Sequence, residues 1–240
     1  MIHALHGNFG QPSDWRAAFP PGLPSHAWPL WEIRRHHPEA RSLDGFARWF
    51  NHQVAALPAD GPRVLAGYSL GGRLALHVLQ DQPRLWQGAL LISAHPGLSS
   101  PAQRADRLAH DAAWQKRALA LPWPALLSAW NAQPVLQSSA PPPPPPSEDW
   151  RPEIASAFLD WSLGAQADLL SAWLRGAPPV ALLCGAADAK FAALAQSLAH
   201  RLPGATLAAL PDCGHRLLAE APCAVQKILA ALHASPPSSP

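Results

Sequence analysis

The sequence predicts an α/β fold: a mostly parallel sheet of about six strands, helices on both faces, and an inserted helical cap. Three observations predict it. Short apolar runs alternate with longer segments of helical period. The runs are apolar throughout, as strands covered on both faces require. The long stretch between residues 93 and 180 carries no clear strand pattern, and a compact domain must fill such a stretch with helices of its own.

Taken in order, residues 2–5 read as a short strand that stops at His6-Gly7. Residues 27–33 read as a second strand, weakened by Pro29 and expected at a sheet edge, where Pro29 and Arg34-Arg35 would blunt pairing. Residues 63–67 form a buried strand after the turn at 58–62. Residues 88–93, 180–184 and 205–210 supply the remaining strands. Helical periodicity covers residues 43–57, through Phe46, Trp49, Phe50, Val54 and Leu57. Residues 71–80, 189–201 and 217–232 carry similar patterns. Within the long insert, residues 101–121 read as a helix with Ser100 as N-cap and Pro101 at its first position. Shorter helices are expected over 124–130, 147–163 and 166–174. The core is therefore expected from residues 1–96 and 176–234, the cap from 97–175, and a disordered tail from 235–240.

Composition narrows the function classes. Of 240 residues, 48% are apolar and 14% are charged, against about 25% charged in a typical soluble domain. That excludes a charge-rich disordered chain. A net charge of +2 gives no basic surface for nucleic acid. No apolar run approaches the roughly 18 residues of a membrane span. The segment Met1 to Gly7 lacks a basic n-region and a long apolar stretch, so no secretory signal is expected. Three cysteines, Cys184, Cys213 and Cys223, make neither a disulfide scaffold nor a zinc pattern. The expectation is a reduced cytoplasmic protein, monomeric or weakly homo-oligomeric, with no metal and no cofactor. Proline accounts for 29 residues, including the run Pro141 to Pro146, which reads as a stiff polyproline II spacer.

The strongest local signal is Gly67-Tyr68-Ser69-Leu70-Gly71, a G-x-S-x-G between a buried strand and a helix. In that context the glycines permit a sharp turn and Ser69 Oγ stands clear of the backbone. The helix beginning at Gly71 points its positive end at that oxygen. A serine hydroxyl needs a histidine to take its proton, and the motif implies the chain order Ser, acid, His. His215 follows the last strand in Asp212-Cys213-Gly214-His215, and Asp188 follows the penultimate strand. Both lie at strand C-terminal ends, where ligands gather in open α/β sheets. Asp212 is too close to His215 in sequence to serve as the acid, and Asp168 falls in the cap. An oxyanion needs two preorganised donors. The Leu70 N–H supplies one and the Asn8 backbone, after the first strand, the other. His6 reads as a packing and hydrogen-bonding residue.

At this point the chain resembles the α/β-hydrolase fold, and more narrowly the 2-succinyl-6-hydroxy-2,4-cyclohexadiene-1-carboxylate (SHCHC) synthase family of menaquinone biosynthesis. The segments that carry the resemblance are Leu5-His6-Gly7 with Asp14-Trp15, and Gly67-Tyr68-Ser69-Leu70-Gly71-Gly72-Arg73. To these are added His95-Pro96-Gly97-Leu98, Gln103-Arg104-Ala105-Asp106-Arg107 and Asp111-x-x-Trp114. Trp130-x-x-Gln133-Pro134-Val135, Ser162-Leu163-Gly164-x-Gln166 and Cys184-Gly185-x-x-Asp188-x-Lys190-Phe191 continue it. The resemblance implies a lyase that eliminates pyruvate from a polycarboxylated enolpyruvyl-cyclohexene. It implies Ser69, Asp188 and His215 as the triad, and Tyr68, Arg73, Gln103, Arg107 and Trp130 facing a polyanionic small molecule. Guanidinium forks pair with carboxylates at two points, which suits that substrate.

Three departures stand out. The family's third cap arginine aligns at the proline run, with Arg151 as the nearest replacement. The usual D-x-x-G-x-G after the second strand is replaced by Glu32-Ile33-Arg34-Arg35-His36-His37. The chain begins at what would be the family's third strand. The competing reading is a serine carboxylesterase or thioesterase acting on a small ester, since its triad is the same.

Overall fold

A computed structural model describes all residues except 59–60, 167, 170–176, 203 and 236–240. Its centre is a six-stranded sheet in the order β2-β1-β3-β4-β5-β6, with every pairing parallel. The strands are β1 (Ile2–Leu5), β2 (Ser25–Trp28), β3 (Val64–Tyr68), β4 (Gly88–Ile92), β5 (Val180–Gly185) and β6 (Thr206–Leu210). The core helices are α1 (Leu30–His36), α2 (Leu43–Ala56) and α3 (Leu70–Asp81). Between β4 and β5 come α4 (Pro101–Ala120), α5 (Trp123–Asn131), α6 (Pro134–Gln137) and α7 (Arg151–Asp160). The chain then returns through α8 (Ala189–Arg201), α9 (Leu217–Glu220) and α10 (Pro222–Ala234).

Strand period sorts the core into two layers. On β3, Leu65 packs with Phe46, Phe50, Leu74 and Val78 on one face, while Val64 and Ala66 pack with Val225, Leu229 and Leu232 on the other. All of β1, β4 and β5 is buried, and apart from His3 on β1 these strands are apolar on both faces. Strand β1 is flanked by β2 on one side and β3 on the other, so the winding direction reverses there. Ligand crevices form at such reversals, beyond the strands' C-terminal ends. Leu5 sits opposite Gly67 in the register, so the loops that follow β1 and β3 emerge side by side at the crevice.

Several local expectations change. Residues 27–33 do not form one strand. Strand β2 ends at Trp28, Pro29 precedes the helix, and Leu30, Trp31, Ile33 and Arg34 make the buried face of α1. Arg34 and Arg35 do not guard a sheet edge: they reach α7 in the insert. Arg34 Nη2 donates to Asp160 at 2.6 Å and to Ser156 at 2.9 Å, with its guanidinium 4.3 Å over the Trp161 ring. Arg35 donates to both oxygens of Glu153, each at 2.9 Å. The helix expected over 217–232 is split, because Pro222 cannot continue α9 and opens α10 instead. The expected helix over 147–163 is a 3-10 turn, Glu148–Trp150, then α7. Gln166, the start of the helix expected over 166–174, is extended. The rest of that span, part of the turn at 58–62 and all but Ser235 of the tail lie largely outside the described residues. The proline run forms neither helix nor strand, and its Pro144 carbonyl accepts from Gln11 Nε2 at 3.0 Å. Among the described residues, no helix is long and apolar enough to cross a membrane.

Candidate active site

Ser69 occupies the junction of β3 and α3 at φ 54° and ψ −108°. A non-glycine residue held there costs on the order of 1–3 kcal/mol, so its surroundings must over-determine it. They do: Ser69 N–H donates to the Ile92 carbonyl at 2.9 Å, and its own carbonyl accepts from Arg73 N–H at 3.1 Å. The flanking glycines serve a different purpose from the turn freedom expected of them. A Cβ on Gly67 would stand 2.4 Å from the Gly71 carbonyl oxygen, and one on Gly71 would stand 2.2 Å from that of Leu5. Only glycine lets the start of α3 touch the end of β1. Leu70 opens α3, so its N–H is one of the helix's orphan donors.

The loop after β1 is held by His6. This ring is fully buried and its pKa is pushed down to about 4, chiefly by desolvation. Its neutral Nε2 accepts the Leu30 N–H at 3.2 Å, which leaves Nδ1 to donate to the Gly7 carbonyl at 2.9 Å. The turn continues through Gly10 N–H to Gly7 at 3.1 Å, and Asn8 lines the cleft beside Leu70.

Asp188 is the N-cap of α8. Its Oδ1 accepts the Phe191 N–H at 3.2 Å, which turns Oδ2 toward His215 Nδ1 at 2.6 Å. A carboxylate only accepts, so the imidazole proton sits on Nδ1 and the Nε2 lone pair faces Ser69 Oγ at 3.1 Å. Both Asp188 and His215 are buried. Asp168, the other acid weighed from sequence, pairs instead with Arg201 at 2.7 Å.

A narrow cleft opens over Ser69's neighbours, between Asn8 and Leu70 below and Arg73, Arg107, Trp114 and Trp130 around and above. Arg73 Nη2 donates to the Trp161 carbonyl at 2.9 Å and Nη1 to Gln166 Oε1 at 3.3 Å. Burial, then the neighbouring Arg107 charge, lower its pKa to about 9, so it stays a cation at neutral pH. Arg107 donates Nε to Asp111 at 2.8 Å, and the other Asp111 oxygen accepts from Ser162 Oγ at 2.7 Å. Lys190 stands near both Arg107 and Asp188, its pKa lowered by burial and by Arg107. Trp130 walls the cleft, with ring centroids 4.9 Å from Phe9 and 5.1 Å from Trp114.

One of the residues expected to face substrate lies away from the cleft. Gln103 is exposed on the first turn of α4, where its backbone N–H meets the capping Ser100. Tyr68 lies at the triad itself, its ring 5.6 Å from that of His215 and against Gly7, where an added Cβ would stand 2.9 Å from it, and burial raises its phenol pKa. Arg151 does not replace a third cleft arginine. It caps the C-terminal end of α4, donating to the Ala118 and Leu121 carbonyls at 2.7 and 2.8 Å. Sequence reasoning did not assign Asp111 or Gln166 roles, although both fall in the cap segments Asp111-x-x-Trp114 and Ser162-Leu163-Gly164-x-Gln166 that carry the resemblance.

A parallel sheet with this elbow and a helical insert defines an α/β-hydrolase, and residues 4–226 match the model of the alpha/beta hydrolase family, so the chain belongs to that family. Within it, the chain is 37% identical over 157 residues to a 2-succinyl-6-hydroxy-2,4-cyclohexadiene-1-carboxylate synthase of Serratia proteamaculans. That match covers 63% of this chain and 60% of the other. It is 35% identical to the synthase of the same name from Klebsiella pneumoniae, over 96% of this chain and 92% of that one. Among solved structures, MenH from S. aureus superposes with a TM-score of 0.83 at 20% identity, covering 96% of this chain and 92% of that chain, which bears on the fold alone.

Proposed function

We propose that this chain is an SHCHC synthase-like lyase. It eliminates pyruvate from a cyclohexene that bears an enolpyruvyl ether and several carboxylates, with Ser69, His215 and Asp188 as its triad. Ser69 Oγ, deprotonated toward His215 Nε2, removes a ring proton next to the succinyl carbonyl. The electron pair moves onto that carbonyl oxygen, where the Leu70 and Asn8 backbone N–H groups hold the charge. The pair then returns to form the ring double bond as the carbon–oxygen bond to the enolpyruvyl group breaks. The departing enolate takes up a proton and becomes pyruvate. Asp188 fixes the imidazole tautomer and supports its positive charge.

The observation that carries this reading is the pair of guanidinium groups lining the cleft, Arg73 and Arg107, against the single carboxylate of Asp111 there. A polyanion supplies the missing charge, whereas a neutral ester does not. The aromatic wall of Trp114, Trp130 and Phe158 suits a six-membered ring between the charged ends. The extent of the cap, 97–175, a cytoplasmic site of action and a monomer or weak homo-oligomer belong to the same reading. The decisive experiment follows pyruvate release from the enolpyruvyl substrate beside p-nitrophenyl acetate hydrolysis. Hydrolysis without pyruvate release would leave the serine esterase reading in its place.

A further inference from the structure

The segment that joins α6 to the proline run lies against the triad from outside. Ser139 Oγ accepts the His215 backbone N–H at 2.6 Å. One residue earlier, Ser138 Oγ donates to the carbonyl of Ala187, the neighbour of Asp188, at 3.2 Å. One residue later, Ala140 N–H donates to one oxygen of Glu220 at 2.6 Å, while the other Glu220 oxygen accepts the Gly214 N–H, also at 2.6 Å. Arg216 closes the attachment from the far side, donating to the Ala140 carbonyl and to Asn131 Oδ1, each at 2.7 Å. The groups gripped are therefore the chain neighbours of the acid and the backbone on both sides of the base.

The fit leaves little slack. A Cβ on Gly214 would stand 2.6 Å from the Ser138 carbonyl oxygen, and one on Gly185 only 2.1 Å from that of Gly214. The histidine loop itself is irregular, with Asp212 at φ 56°. Asp188 fixes the rotation of the imidazole, but the height of the ring over Ser69 depends on where the His215 backbone sits. Ser139 holds that backbone by its only polar hydrogen.

We infer that Ser139 is a positioning residue for His215, and that residues 138–140 act with Glu220 as a strap setting the imidazole at its distance from Ser69. The inference rests on the proposed triad. It does not depend on which substrate the cleft takes. A displacement of about 1 Å at a catalytic group can cost on the order of 100-fold in rate, so a lost strap contact acts on turnover more than on binding.

The test uses the full chain and a fluorophosphonate probe. In that reaction the Ser69 Oγ–P bond forms, the P–F bond breaks, fluoride leaves and His215 takes the serine proton. The labelling rate thus reads the serine–histidine pair without the natural substrate. Ser139→Ala removes the acceptor, Ser139→Thr keeps it, and Glu220→Gln turns an NH₂ against one of the two N–H donors. Labelling is expected to slow about 10-fold in Ser139→Ala and Glu220→Gln and to stay within about threefold of wild type in Ser139→Thr. With the enolpyruvyl substrate, Ser139→Ala lowers kcat by a similar factor at nearly constant KM. Thermal melts run beside the assay identify loss of fold. Wild-type labelling by Ser139→Ala overturns the inference. So does an equal loss in the alanine and threonine variants, or a loss in Ser139→Ala that merely tracks unfolding. Fast labelling of the wild type without pyruvate release would reject the lyase reading while leaving the strap intact.

Discussion

Replacing Arg73 by alanine separates a polyanion lyase from an ester hydrolase. Arg73 lies on the first turn of α3, and its two terminal nitrogens each spend one hydrogen on a neutral acceptor, the Trp161 carbonyl and the Gln166 amide oxygen. Those dipoles fix the guanidinium plane without cancelling its charge, so on the lyase reading a substrate carboxylate supplies the counter-ion. Removing the arginine leaves that carboxylate partly desolvated and unpaired, which costs about 2–4 kcal/mol. That corresponds to roughly 30-fold to 1,000-fold in kcat/KM. Arg107 is 32% exposed and already engaged at Nε by Asp111, so solvent screening reduces its share to about 1–3 kcal/mol, or roughly 5-fold to 150-fold. Lysine at position 73 cannot hold both acceptors and still meet a carboxylate at two points, so it restores only part of the loss. The assay measures kcat/KM for the enolpyruvyl substrate and for p-nitrophenyl acetate in wild type, Arg73→Ala, Arg73→Lys and Arg107→Ala. Acetate ester hydrolysis should stay near the wild-type rate. Small and equal effects on both substrates would refute the charge argument and favour the esterase.

Four further outcomes are expected. Ser69→Ala and His215→Ala lower pyruvate release by several orders of magnitude, and Asp188→Asn by about 10⁴-fold through the wrong imidazole tautomer, measured at saturating substrate; near-normal turnover in Asp188→Asn would remove it as the acid. Gly71→Ala forces a methyl against the Leu5 carbonyl and should melt several degrees below wild type, a loss of about 1–3 kcal/mol; an unchanged melt would show that the elbow is looser than its geometry. Burial raises the Asp14 pKa to about 6 from an ordinary 3.8, so the folded state holds the proton more tightly and stability falls as pH rises through that window; Asp14→Asn should therefore raise Tm at pH 7.5 and much less at pH 4.5, and an equal gain at both would reject the assignment. Replacing Pro141 to Pro146 by a Gly/Ser linker of equal length should raise KM more than it lowers kcat, because a flexible linker loosens the insert while keeping the main-chain carbonyl that Gln11 grips at residue 144; total loss of activity in a folded variant would make the run part of the site.

What the sequence made legible follows from how local each signal is. The strands β3, β4 and β5 and the order Ser69, Asp188, His215 were readable because buried apolar runs and an elbow between strand and helix are short-range patterns. The segment 27–33 was misread because Leu30, Trp31 and Ile33 are too few to show helical period, and a short apolar run looks the same in either state. Pro222 was a visible break inside an apolar helical pattern, and it prevailed over that pattern. The expectation for Gln103 comes from a family motif, and a motif does not state which way a side chain points. Ser139 and Glu220 were not legible at all. Ser139 lies 76 residues from His215 and Glu220 lies 80 from Ala140, and no composition or spacing links them.

The arginines show how one residue type divides between structure and chemistry according to its partner. Arg34, Arg35, Arg151 and Arg201 each meet a carboxylate, and each joins two elements or two turns of the fold. Arg34 goes furthest: buried, bonded to Asp160 and laid over Trp161, it fastens α1 to α7. Arg107 also meets a carboxylate, Asp111, but does so through Nε while lining the cleft. Arg73 has the opposite arrangement, since its partners are a backbone carbonyl and an amide. Trp161 links the two arrangements, with its ring under Arg34 and its carbonyl on Arg73. The paired arginine on one side of this tryptophan therefore sets where the unpaired one on the other side can stand. A cation held by dipoles near a second cation raises the energy of the empty site. On the lyase reading, a ligand with more than one carboxylate lowers it again.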